Sequence, residues 1–138
     1  MTIGVLLAAV AGAITLFVLG YLIWGLLLTS YFKNNAIEYA GLIKLPTPNL
    51  ILLFLSNLVL AFLLAFVFAQ WASIGTFAGG LAAGAIIGFL IHLSGKLSMT
   101  GYMNLYKEIT PVVVDILVES ARASLAGGVI GAVLGLMR

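Results

Sequence analysis

Between Leu50 and Ala69 the chain carries no charged residue, and its runs Leu50 to Leu55 and Leu58 to Ala69 do not alternate apolar with polar. A segment of this kind cannot be a half-wetted strand, and water cannot be its solvent. It is one of four long apolar stretches, about 3–31, 49–71, 74–95 and 110–137, the last of which also carries Asp115, Glu119 and Arg122, and each meets the roughly 20 residues that cross a bilayer. In hydrocarbon only helices and closed barrels satisfy the backbone, and the missing period-two alternation excludes the barrel. The fold expected is all-α: a four-span transmembrane helix bundle with glycine-rich packing faces, residues 1–138 forming a single integral membrane domain.

Composition agrees. Charged residues make up 7% of the 138, against roughly 25% in a soluble domain. The net charge of +2 comes from six basic residues spread along the chain, which form no phosphate-binding patch, so nucleic acid is excluded as a partner. With no cysteine there is neither disulfide nor thiolate chemistry. The first apolar run lacks a basic start and continues past Ala9-Val10-Ala11 to about Thr29, so it reads as a retained span and not as a cleaved signal.

Helix punctuation divides the spans. Thr47-Pro48 and Thr110-Pro111 each place a threonine cap before a proline at the first helical position, and Ser73 after Trp71 is expected to cap the third span. Residues 36–45 are expected to form a short interfacial helix. Loop 3, from Lys96 to Ile109, holds Tyr102, Tyr106, Lys107 and Glu108, a rim suited to the headgroup level. Lys33, Lys44, Lys96 and Lys107 lie on loops 1 and 3 against Arg138 on the other side, so these loops are expected in the cytoplasm and both termini outside.

Read at intervals of four, the spans give rows. Span three runs Gly80, Gly84, Gly88, His92, Lys96, and span four runs Asp115, Glu119, Ala123, Gly127, Gly131, Gly135. Span two contributes Asn57, Ala61, Ala65, Ala69, and span one Gly4, Ala8, Gly12, then Gly20 and Trp24. Small residues permit close approach of helix backbones in lipid, so Gly80, Gly84, Gly88, Gly127, Gly131 and Gly135 are the expected packing positions. In every span they lie toward the terminal side, which predicts a bundle tight in one leaflet and more polar in the other.

The polar side is the candidate site. Asp115, Glu119 and Arg122 are spaced i, i+4, i+7 on one helix face, His92 is expected at the depth of Asp115, and Asn57 near that of Glu119. Ionisable groups at membrane depth cost about 2.5 to 3.5 kcal/mol each on the insertion scale, so they require either mutual pairing or a function. In one account Glu119 and Arg122 form a structural ion pair helped by Asn57, with Asp115 wetted by the headgroups. In the other, Asp115, Glu119, Arg122, His92 and Asn57 line a polar recess serving as an ion or proton site. A single His without a second His or Cys is a thin basis for haem, pigment or metal ligation, so neither cofactor nor metal is expected and His92 is read as hydrogen-bonded. No HExxH, thiol nucleophile or phosphate loop is present, so an enzyme is not expected.

Phe17-Val18-Leu19-Gly20-Tyr21-Leu22-Ile23-Trp24-Gly25, the turn Gln70-Trp71-Ala72-Ser73-Ile74-Gly75-Thr76-Phe77 and the glycine-rich last helix resemble a group of small bacterial four-span integral membrane proteins known as a domain of unknown function. The resemblance implies a multi-pass protein of the bacterial inner membrane and brings no site residues. The expected function is transport or permeation of a small polar species or ion through an oligomer. The alternative is a non-catalytic accessory subunit of a larger membrane complex. The partners expected are the lipid bilayer and further copies of the chain or other membrane subunits.

Overall fold

The computed structural model describes residues 3–43 and 48–137. Helix α1 runs Ile3–Gly20 and continues with five-residue, π-type hydrogen bonding over Tyr21–Leu27, ending with Leu28 N–H on the Ile23 carbonyl at 2.8 Å. A short α2 (Thr29–Asn35) follows, then α3 (Leu50–Phe66) with its own π-type end Val67–Trp71, α4 (Phe77–Tyr102) and α5 (Thr110–Leu136). Four helices among the described residues are long and apolar enough to cross a membrane: Ile3–Leu27, Leu50–Trp71, Phe77–Tyr102 and Thr110–Leu136. Strands are absent from the described residues. An isolated antiparallel bridge joins Ala36 and Tyr106.

The helix ends differ from the expected punctuation. Asn49 caps α3 by accepting from Leu52 N–H at 3.2 Å, while Thr47 lies outside the described residues. Thr110 falls inside the first turn of α5, whose preceding residue Ile109 offers no side-chain cap; only Pro111 in the first turn fits the reading. Thr76, not Ser73, caps α4, accepting from Gly79 N–H at 3.0 Å. Ser73 instead takes φ +52 in the turn. The expected helix over 36–45 does not form in 36–43. Its place is taken by α2, one segment earlier, and residues 44 and 45 lie outside the described residues. Loop 3 shrinks to 103–109 because α4 runs on through Lys96, which is therefore a helix residue and not a loop charge.

Loops 1 and 3 meet at the same end of the molecule. Ile37 N–H bonds Leu105 C=O and Lys107 N–H bonds Asn35 C=O, both at 2.8 Å, and the Tyr39 hydroxyl donates to the Asn104 carbonyl. Four antiparallel long helices require this, since both loops cap the same ends.

Packing is not symmetric. α1, α3 and α5 share an apolar core in which Val5, Ala8, Ala13, Leu16, Ala61, Leu64, Ala65, Phe68, Ala126 and Ile130 are sealed from solvent. α4 lies mainly against α5, and its buried residues are Gly80, Gly84 and Gly88. A Cβ on Gly84 would stand 2.6 Å from the Ala123 carbonyl oxygen and 3.2 Å from the Gly127 Cα, and one on Gly80 would strike the Gly127 carbonyl outright. Farther along, Cβ atoms on Gly131 and Gly135 would strike the carbonyls of Thr76 and Gly75. Such separations are open only to a residue without a side chain.

Candidate functional site

The antiparallel register that brings Gly88 to Ala123 and Gly84 to Gly127 continues, one turn at a time, toward loop 3. The next rung sets His92 Nε2 3.5 Å from Glu119 Oε2, and the one after it sets Lys96 Nζ 2.8 Å from Asp115 Oδ2. The small-residue rows and the charged residues are thus successive parts of one seam between α4 and α5. Both rows step by four residues, so their ridges incline together and stay in contact over the length of the pair.

Behind the seam, Arg122 ties three helices. Its Nε donates to the Leu16 carbonyl of α1 at 2.9 Å, its Nη1 to Glu119 Oε2 at 2.7 Å, and its Nη2 to Asn57 Oδ1 of α3 at 2.7 Å. Gly20 makes room for it, since a Cβ there would lie 3.1 Å from Nη2. Glu119 uses its other oxygen as well: Trp24 Nε1–H donates to Oε1 at 2.6 Å. Trp24 sits within the π-type turns, where each turn holds an extra residue, and the ring is thereby rotated from where a continued α-helix would aim it. His92 is anchored through Nδ1, 2.7 Å from the Gly88 carbonyl.

These groups border an open recess of about 420 Å³ lined by Trp24, Phe32, His92, Lys96, Tyr106, Asp115 and Glu119. Its aromatic wall is a relay of edge-on rings, Trp24 to Phe32 at 4.7 Å and Phe32 to Tyr106 at 5.8 Å between centroids. α2 places Phe32 there, and the Ala36–Tyr106 bridge fixes the two loops across it. Burial pushes the Tyr106 hydroxyl above its usual 10.0; the nearby Lys96 charge opposes the shift and that of Asp115 adds to it. A second cavity of about 470 Å³, between α1 and α3, is mainly apolar and reaches Asn57 and Arg122 on the far side of Trp24.

The structure brings together all five residues expected at the site, and the Glu119–Arg122 ion pair helped by Asn57 is the one expected. His92 faces Glu119 and not Asp115, and Asn57 binds Arg122. Asp115 is 7% exposed and paired with Lys96. Arg122 and Asn57 do not line the open recess, whereas Trp24, Phe32, Lys96 and Tyr106 do. Lys96 and Trp24 both ended rows of four in the sequence, which is the signal that marks them. Phe32 had no comparable signal, because its position depends on a helix that the sequence placed elsewhere. Among the described residues, no group of three or more His, Cys, Asp or Glu side chains is placed to hold a metal ion.

No family model matches this chain, and no curated protein or solved structure matches it either.

Proposed function

We propose that this chain is a multi-pass protein of a cell membrane, the bacterial inner membrane, whose homo-oligomer lets a small polar species or ion permeate by way of the recess between α4, α5 and α1, without catalysing a reaction. One observation carries the reading: Lys96 and Asp115 are paired at a place where structure gives them little to do. The Arg122 network already joins α1, α3 and α5, and close backbone contact already joins α4 to α5. A buried pair is itself weak support for stability, since desolvation offsets its Coulomb gain. Two further charges on an apolar helix pair, opening on a recess, are what a hydrophilic permeant would need.

In this reading the glycine rows of α4 and α5 are the packing faces of the bundle. Their contact continues to the Thr76 and Gly75 carbonyls and leaves no room for passage at that end of the pair, so a path through the membrane requires a second copy. The positive charges of Lys33, Lys96 and Lys107 at the recess end support a cytoplasmic position for it, with the termini outside. A second reading draws on the outward faces of α3 and α4, where Ile51, Val59, Ile86 and Leu90 are exposed. Those faces suit other membrane helices as well as lipid, and would make the chain a non-catalytic accessory subunit.

Flux in liposomes tests the first reading. Asp115→Asn removes one charge of the pair while leaving every Arg122 and Glu119 bond in place. The variant is expected to assemble as the wild type does and to lose at least tenfold of the flux. Wild-type protein that assembles and passes nothing, or a variant with unchanged flux, overturns the reading.

A further inference from the structure

Hydrogen bonding around His92 identifies what the recess takes up, on the footing that it takes up a small ion at all. The Gly88 carbonyl can only accept, so the His92 Nδ1 that lies 2.7 Å from it carries a hydrogen. A neutral imidazole has one N–H, which leaves a bare lone pair on Nε2. That lone pair faces Glu119 Oε2 at 3.5 Å. Two acceptors therefore confront each other with a space for one proton between them. Both oxygens of Glu119 already receive donors, Trp24 Nε1–H on Oε1 and Arg122 Nη1–H on Oε2. A hydrogen on Oε2 would compete with the Arg122 donor, whereas Nε2 has no other partner among the described residues.

The other groups facing the imidazole do not compete for the role. Lys96 lies one turn along α4 and is held by Asp115 from α5. Arg122 is turned toward Leu16 and Asn57, and Trp24 of α1 and Tyr106 of loop 3 complete the wall. With His92 neutral, Asp115 and Glu119 balance Lys96 and Arg122. One added proton leaves a single positive charge, placed against a carboxylate.

We propose that the species bound in the recess is a proton, accepted by the Nε2 lone pair of His92. The step is a proton transfer from hydronium in the recess: one N–H bond forms, one O–H bond breaks, water is released, and the imidazolium pairs with Glu119 Oε2. Nδ1–H stays on the Gly88 carbonyl throughout, so His92 loads and unloads only on the side that faces the recess.

His92 is the only histidine in the chain, so nitrogen NMR of histidine-labelled protein in lipid reads one imidazole. The expected result is a neutral form protonated at Nδ1, with acid adding the second hydrogen at Nε2. A neutral form protonated at Nε2, or an imidazole that does not titrate while the protein stays folded, overturns the proposal. In liposomes the wild type is expected to dissipate an imposed pH gradient and His92→Gln to retain it, the amide still able to donate to Gly88. If potassium passes while the pH gradient persists, the proton assignment fails and the recess reading stands. If assembled wild-type protein passes neither, both fail.

Discussion

Arg122 donates from three different nitrogens to three helices, and only a planar guanidinium fork offers donors in that arrangement. A lysine at the position keeps the charge but concentrates its donors on one atom. Arg122→Lys is therefore expected to lose at least one charge-assisted bond, about 2 kcal/mol, seen as a lower midpoint for unfolding in detergent. The same geometry changes which acidic residue is informative. Glu119→Gln would turn an amide N–H₂ toward either Trp24 Nε1–H or Arg122, so its effects on fold and on flux would be mixed, whereas Asp115 binds Lys96 alone. At this scale the sequence was legible in kind and displaced in detail. The i, i+4, i+7 spacing put Asp115, Glu119 and Arg122 on one face, and they are. The Glu119–Arg122–Asn57 contacts are the expected ones, whereas His92 was set at the depth of Asp115 and Lys96 in a loop because depth was counted from the expected loop ends, and α4 continues past Gly95 and Lys96 to Tyr102. Within that extension Lys96 meets Asp115 across the seam, a long-range pairing that no local propensity reports.

The α4–α5 seam is the element on which the site depends, because the same register places the glycines and the charged pairs. Two substitutions within α4 separate contact from propensity. Gly80→Ala would drive a Cβ into the Gly127 backbone, which has no flexible end to yield, and is expected to cost roughly 1–3 kcal/mol. Nothing lies within 4 Å of a Cβ at Gly95, and Gly95→Ala is expected to stabilise by roughly 0.5–1 kcal/mol through helix propensity alone. Thermal unfolding of the two variants in one detergent checks both signs, and a stable Gly80→Ala would remove the seam as the determinant of register. The four apolar stretches were legible from the sequence, since hydrocarbon leaves the backbone few choices. Their ends were not. Thr76 and Asn49 act as caps in place of Ser73 and a threonine-proline pair, all of them residue types that serve equally well at a helix start. The π-type turns of α1 that aim Trp24 at Glu119 had no sequence mark beyond the row ending in Gly20 and Trp24.

At the scale of the molecule, α5 stands between two unequal partners, the α1–α3 pair with its apolar core on one side and α4 on the other. The recess opens at the end where loops 1 and 3 are clipped together, while close backbone contact runs to the opposite end of α4. In the permeation reading a single copy holds half of a path. Permeation requires copies to meet, and the accessory-subunit alternative requires a different protein in their place. The native mass and composition of the complex extracted in mild detergent separate these directly. Permeation through an oligomer predicts a complex made only of this chain, at an integral multiple of its 14.5 kDa once detergent is subtracted. A strictly monomeric mass, or a foreign protein present in fixed stoichiometry, would contradict it.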